Sequence, residues 1–91
     1  MRRYIDYTLL PAHIRGGMKR YIEGRTPPGG FLTAVLNNNL MEAMGRADRI
    51  NRERLFDICN FLYNEAPAVC WGSPERVKRW LEGRKSEVLP D

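Results

Sequence analysis

The most reactive side chains in this 91-residue chain are one histidine, two cysteines and a serine that lies between a glycine and a proline. They are His13, Cys59, Cys70 and Ser73. These residue types carry out nucleophilic and acid–base catalysis, but their spacing matches no catalytic motif. The cysteines do not form a CxxC pair, and a structural zinc ion needs about four nitrogen or sulfur ligands. We therefore predict that the protein is not an enzyme and has no metal or cofactor site.

A second type of chemistry, phosphate binding, is indicated by arginines that cross a predicted junction between two helices. They are Arg46, Arg49, Arg52 and Arg54. Arginine at the start of a helix suits phosphate contact, because unpaired backbone amides and the positive end of the helix dipole lie there. The alternative is a surface network in which Asp48, Glu53 and Asp57 neutralise the arginines. We favour the network, because the net charge of +4 comes from 15 basic and 11 acidic residues that are interleaved.

Another group of basic residues lies near Trp80 and consists of Lys78, Arg79, Arg84 and Lys85. A basic strip beside an aromatic ring is able to stack on or steer nucleic acid. Neither the spacing of a helix-turn-helix nor an RNA-binding motif of basic and aromatic residues accompanies this strip. Nucleic-acid binding is therefore an alternative to the main prediction.

The aromatic residues are the strongest indication of a binding surface. Two tryptophans, four tyrosines and three phenylalanines are more large rings than so small a core is expected to hold. Aromatic residues and arginine are also favoured in interface hot spots. We predict that Trp80 lies in the core, on the apolar face of the last helix. The candidate partner-binding residues are Tyr63, Cys70 and Trp71, together with Arg46, Arg49 and Arg52. The alternative is that each ring covers a seam between short helices.

Proline and glycine residues divide the chain into short helical segments without repeats or low-complexity linkers. Signals for β-strands are weak, and only residues 4–10 have an extended pattern. We predict an all-α protein, a compact single-domain bundle of four to five short helices. Its predicted parts are an extended N-terminal segment at 1–9, a helical domain at 10–83 and a flexible C-terminal tail at 84–91.

Caps and breakers predict the bounds of the helices in the first half of the chain. The first helix opens at Leu10-Pro11, with Pro11 at its first position, and ends where Gly24 adopts the left-handed conformation. Its apolar stripe consists of Ile14, Met18, Tyr21 and Ile22. The three consecutive asparagines at 37–39 favour caps and turns, so we expect the next helix to break there.

In the second half, Asn51 is predicted to cap the longest helix, at about 52–64. Its expected buried face consists of Leu55, Ile58, Cys59 and Leu62, with Phe61 and Tyr63 left open. Pro67 requires this helix to end before it. The run Ser73-Pro74-Glu75 is a strong start for the last helix, which we expect to end near Gly83.

Hydropathy predicts a cytoplasmic protein. No apolar run approaches the roughly 18–20 residues that cross a bilayer. The N-terminal residues lack the apolar region and cleavage site of a signal peptide. Two cysteines do not amount to a disulfide framework, so we expect both as thiols in a reducing compartment.

Three segments of the chain have a familiar pattern. They are LPAHIRGGMKRYIE at 10–23, PPGGFLTAVLNNNL at 27–40 and LYNEAPAVCWGSPERVKRW at 62–80. Together they resemble a family of small uncharacterised proteins encoded by tailed bacteriophages and prophages. The family often has aspartate where this chain has Asn39, so a role that needs that carboxylate is not expected here. The resemblance implies a phage or prophage origin and carries over no activity and no site residues.

These observations predict a protein that acts by stoichiometric binding inside the bacterial host. The expected partner is a host protein, and inhibition of a host defence factor or host enzyme is the sharper form of this prediction. One alternative is an accessory protein that binds nucleic acid through its arginines. Another is a protein that sequesters a nucleotide signal between arginines and the ring of Trp71 or Tyr63. The surplus of aromatic residues is also compatible with a homodimer.

Overall fold

The structure, a computed structural model, describes the backbone of residues 4–88 and the side chains of residues 4–83. In this part of the chain the helices are α1 (Ala12–Gly24), α2 (Gly30–Leu36), α3 (Leu40–Arg46), α4 (Arg49–Glu53), α5 (Leu55–Asn64) and α6 (Pro74–Val88). Short 3₁₀ turns form at Tyr7–Leu9 and Ala68–Cys70. Residues 4–88 contain no β-strand, and the predicted all-α class is confirmed.

One apolar core contains residues of α1, α2, α3, α5 and α6. The stripe predicted on α1 is buried as expected, and Met18 and Tyr21 are fully enclosed. Leu36 from α2 and Ile58 and Phe61 from α5 complete the centre of this core. Because such residues come from helices far apart in sequence, their burial holds the short helices together more than helix propensity does.

The first helix ends differently from the prediction. Gly24 is the last helical residue, and Arg25 adopts the left-handed conformation at φ 53° and ψ 40°. The Arg25 amide donates to the Tyr21 carbonyl and the Thr26 amide to the Arg20 carbonyl, so carbonyls of the last turn are satisfied. A left-handed arginine costs about 1 kcal/mol more than glycine would.

The predicted break at the asparagines is confirmed. Asn38 takes the left-handed conformation at φ 64°, which asparagine tolerates better than most residues. Asn39 then caps α3, since its side chain accepts a hydrogen bond from the Glu42 amide at 3.2 Å. The Gly72 amide donates to the Leu36 carbonyl at 2.8 Å. This hydrogen bond connects the loop before α6 to the end of α2.

The single long helix predicted after Asn51 is in fact two helices. Asp48 caps α4 by accepting from the Asn51 amide at 2.8 Å, so Asn51 lies inside the helix and is buried. Arg54 separates α4 from α5. Its guanidinium binds the Leu9 carbonyl at 2.9 Å and the Asp57 carboxylate at 2.6 Å. These contacts with the N-terminal segment and with α5 favour the turn over a continuous helix.

The last helix begins as predicted and extends further. Ser73 caps it, accepting from the Arg76 amide at 3.2 Å. It continues past Gly83 to Val88, and three of the five residues there, Arg84, Lys85 and Glu87, are good helix formers. Residues 84–88 of the predicted flexible tail are therefore helical, and residues 89–91 lie outside the described part of the chain.

The predicted extended segment at 1–9 packs against the core. Ile5, Tyr7 and Leu9 are partly buried there, and the Tyr7 ring lies 5.4 Å from that of Phe61. Asp6 caps the 3₁₀ turn by accepting from the Thr8 amide. Residues 1–3 lie outside the described part, so the observed portion of this segment belongs to the helical domain.

Candidate functional site

The outer face of α5 exposes two large aromatic rings. The inner face buries Ile58, Phe61 and Leu62, as a helix on a core must. Successive residues of a helix are rotated by about 100°, which places Phe56 and Tyr63 on the opposite side. Each of these two rings is 79% exposed. A helix that is apolar on both faces is normally enclosed on both, so α5 has a second face without a cover in the described chain.

This outer face forms one wall of a groove of about 370 Å³. We call it the α5 groove, and its apolar lining consists of Val35, Phe56, Cys59, Leu62, Tyr63 and Trp71. Asn38 and Asn60 add amide groups, and no described residue that lines it is charged. The arrangement suits an apolar segment whose backbone or polar side chains bond to the two amides.

Two of the predicted partner-binding residues meet at this groove. Tyr63 comes from the last turn of α5, and Trp71 comes from the loop before α6. The Trp71 indole is half-buried, and its Nε1 has no acceptor among the described residues. The sequence did not single out Phe56, whose exposure depends on which apolar face of α5 meets the core.

The predictions for the two cysteines were wrong. Cys70, a candidate binding residue, is fully buried, and its carbonyl accepts from the Tyr21 hydroxyl at 2.6 Å. Desolvation by burial raises the pKa of its thiol to about 12. Cys59, expected in the core, is exposed and lines the α5 groove. It lies next to the buried Ile58, but its position on the helix wheel falls on the side of Tyr63.

The predicted phosphate-binding arginines are used in surface contacts. Arg46 pairs with Glu42, and the Arg49 Nε lies 3.5 Å from a Glu53 carboxylate oxygen. Arg52 donates to a backbone carbonyl at 3.5 Å. None of these three arginines lines the α5 groove. The interpretation as a surface network therefore fits the structure better than a phosphate site at the junction.

A different set of arginines meets at a second cavity, of about 510 Å³. We call it the arginine cleft, and it is lined by Arg25, Ala68, Val69, Arg76, Arg79 and Trp80. The central carbon of the Arg25 guanidinium lies 3.9 Å from the centre of the Trp80 ring, a cation–π contact. Trp80, predicted as core, packs against the core but is only half-buried, and its Nε1 donates to the Tyr21 carbonyl at 2.9 Å.

The sequence indicated only two of the residues that line this cleft. Arg79 and Trp80 belong to the basic strip that the sequence indicated on the last helix. Arg25 comes from the end of α1 and Arg76 from the first turns of α6, and no periodicity relates residues so far apart. A non-glycine residue in the left-handed conformation is a signal that only the structure supplies.

Chemical labelling should distinguish the two cysteines. At about pH 8, the folded protein should consume one equivalent of a maleimide, at Cys59, and the denatured protein should consume two. Partial burial raises the pKa of Cys59 as well, so its labelling rate should still be rising above that pH, as thiolate forms. Peptide mapping after limited labelling measures this. In the Cys59→Ser variant the folded protein should be nearly unreactive, and equal labelling of Cys70 in folded protein would contradict the structure.

Other arrangements in the described chain provide no recognisable chemistry. His13 and Asp48 form an exposed pair, with the ring nitrogen 2.9 Å from the carboxylate, which links α1 to the cap of α4. Across the described residues, no three histidine, cysteine, aspartate or glutamate side chains are grouped to hold a metal ion. None of the described helices has the length and apolar character that would span a bilayer. No family model, curated protein or solved structure matches this chain.

Proposed function

We propose that this protein is a non-enzymatic binding domain of phage type, and that it occupies a host protein through the α5 groove. The proposed occupant is an amphipathic helix of that host protein, with apolar residues on one side and acidic residues on the other. The observation that carries the proposal is the exposure of Phe56 and Tyr63, 79% each, beside one uncharged groove.

The residue types in the groove favour recognition of protein. Large aromatic rings are the side chains that most often dominate binding energy, and they do so when a partner removes them from water. An amphipathic helix laid into an apolar groove is a recurring mode of peptide recognition. The groove lacks the basic residues that nucleic acid requires for its phosphates, and Asn38 and Asn60 bond equally well to the polar edge of a helix.

The size of the exposed surface favours one helix over a second copy of this chain. A phenylalanine or tyrosine buries roughly 150–250 Å² when it is covered, so the two rings together supply on the order of 300–500 Å². A stable protein dimer buries about 800 Å² on each partner. The two exposed rings alone therefore provide about half of what self-association needs, which is a better match to one helix laid into the groove.

Net charge supports the same choice of partner. Two copies of this chain would bring together two molecules of charge +4, which repel one another. An acidic helix is attracted to a chain of net charge +4, and electrostatic attraction raises the rate of association. Occupation of a regulatory or substrate-binding helix would inhibit the host protein in a one-to-one complex, which is how a small non-catalytic protein stops an enzyme or a defence factor.

The test uses Cys59 as a built-in attachment point. A photoactivatable crosslinker coupled to Cys59 lies in the α5 groove, while Cys70 is buried and should remain unmodified. The labelled protein is mixed with host lysate and irradiated, and the crosslinked peptide is sequenced. We expect one host protein, crosslinked through an acidic amphipathic segment. The Phe56→Ala/Tyr63→Ala double variant should bind the purified partner at least tenfold more weakly, as loss of hot-spot side chains does.

A matched control distinguishes binding in the groove from nonspecific binding to exposed aromatic rings. Tyr4 is 88% exposed and does not line the α5 groove, so Tyr4→Ala should bind the partner as wild type does. The proposal is overturned if the double variant and wild type bind equally, or if no host protein crosslinks to Cys59. Crosslinks between two copies of this chain that disappear in the double variant would show that the groove binds a second copy instead of a host helix.

A further inference from the structure

We propose that the arginine cleft is a binding site for a nucleoside phosphate, separate from the α5 groove. Three guanidinium groups, those of Arg25, Arg76 and Arg79, line one cavity together with the indole of Trp80. No carboxylate lines that cavity among the described residues. A cavity lined by several guanidinium groups has a positive potential, which favours an anion inside it.

Two unfavourable local features serve to place the Arg25 guanidinium in the cleft. Arg25 has the left-handed backbone conformation, at a position where glycine would end the helix without strain. Gly83 lies inside α6, where glycine weakens a helix, and a Cβ atom there would collide with the Arg25 guanidinium. Backbone strain is concentrated at functional sites in proteins. Both features direct one side chain across α6 onto the face of Trp80.

The other two arginines are held on α6, one turn apart. Arg76 is fixed by hydrogen bonds to the Ala68 carbonyl at 3.2 Å and the Trp71 carbonyl at 3.4 Å. Two acceptors occupy only part of a guanidinium, which has five donors. Arg79 follows three residues later and has no carboxylate partner within the described residues. One arginine is therefore rigid and one is available, a combination that suits a bidentate contact with phosphate.

The dimensions and walls of the cleft indicate the class of ligand. Its volume of about 510 Å³ lies in the range of small-molecule sites, roughly 300–1,000 Å³. Guanidinium groups bind phosphate, and both guanidinium planes and indole rings stack on nucleobases. Val69, which is 64% exposed, and Ala68 add an apolar wall. A planar base attached to a phosphate would stack on the Arg25 guanidinium, which already covers the face of Trp80, while a bare anion uses only the charge of the arginines.

The test is calorimetric titration of the protein with AMP, with adenosine and with inorganic phosphate, at low salt. We expect AMP to bind more tightly than either component. Arg79→Gln should weaken AMP binding by about tenfold or more, the usual effect of losing a charge-assisted hydrogen bond. Arg49→Gln removes the same charge from an exposed arginine that does not line the cleft, and it should change the affinity less than twofold.

A third variant tests the position of Arg25 without altering any charge. Gly83→Ala should displace the Arg25 guanidinium and weaken AMP binding several-fold, and circular dichroism verifies that α6 remains folded. The proposal is overturned if AMP does not bind to wild type, or if Arg79→Gln and Arg49→Gln weaken binding equally. It is also overturned if phosphate alone binds as tightly as AMP, or if only an RNA oligonucleotide binds.

Discussion

Truncation of Phe61 to alanine is expected to lower the free energy of unfolding by about 3–5 kcal/mol. Phe61 is fully buried at the centre of the core and lies against the ring of Tyr7. Removal of the ring loses the free energy gained by transferring it from water to the core. It also leaves a cavity among residues of several helices. A domain of this size has a total stability of roughly 5–14 kcal/mol, so the variant should lose a large fraction of it. Urea denaturation, followed by circular dichroism, measures the difference.

The matched control lies on the same helix. Phe56 is also a phenylalanine of α5, but it is 79% exposed. Phe56→Ala should therefore change the free energy of unfolding by no more than about 0.5 kcal/mol, as for other surface substitutions. If the two truncations had equal effects, the assignment of the inner and outer faces of α5 would be wrong. The α5 groove would then not exist in the form described.

Replacement of Tyr21 by phenylalanine is expected to cost about 1–3 kcal/mol, because it leaves the buried Cys70 carbonyl without its donor. Tyr21 is fully buried, and its hydroxyl ties α1 to the 3₁₀ turn before α6. Burial raises the pKa of Tyr21, so the hydroxyl remains a donor through neutral and mildly alkaline pH. The decrease in the free energy of unfolding caused by Tyr21→Phe should therefore be the same at pH values across this range. Each kcal/mol corresponds to a fall in Tm of roughly 4–8 °C.

Tyr63→Phe provides the control for this hydroxyl deletion. It removes the same group from a side chain that is 79% exposed, and we expect a change in unfolding free energy within about 0.5 kcal/mol. Thermal unfolding of both variants, monitored by circular dichroism, gives the comparison. Equal Tm values for Tyr21→Phe and wild type would indicate that the Cys70 carbonyl finds another donor.

Local signals in the sequence were sufficient for much of the fold. The stripe of α1, the break at the asparagines and the start of α6 at Ser73 depend on contacts within a few residues, and all three were predicted correctly. The cap of α4 was not, because Asp48 and Asn51 are both good caps, three residues apart. The chain turns at Arg54, whose guanidinium bonds to the distant Leu9 carbonyl, a contact that local sequence does not indicate.

The candidate site was predicted only where exposure follows from local structure. Tyr63 and Trp71 were identified because they flank the loop before α6. Cys59 and Cys70 were assigned to the wrong environments. Both faces of α5 are apolar, so periodicity does not tell which one meets the core. A short 3₁₀ turn such as the one at Cys70 has no periodicity to analyse. The arginine cleft depends on pairs of residues far apart in sequence, which a single sequence does not relate.

The positions of the two tryptophans give each cavity its own optical reporter. Trp71 lines the α5 groove and Trp80 lines the arginine cleft, and the chain has no other tryptophan. In Trp71→Phe protein all indole emission comes from Trp80, and in Trp80→Phe protein it comes from Trp71. Quenching or spectral shift in one variant and not in the other therefore assigns any added molecule to one cavity, with no attached dye. A single fluorimeter is enough to tell which side of this small protein is occupied.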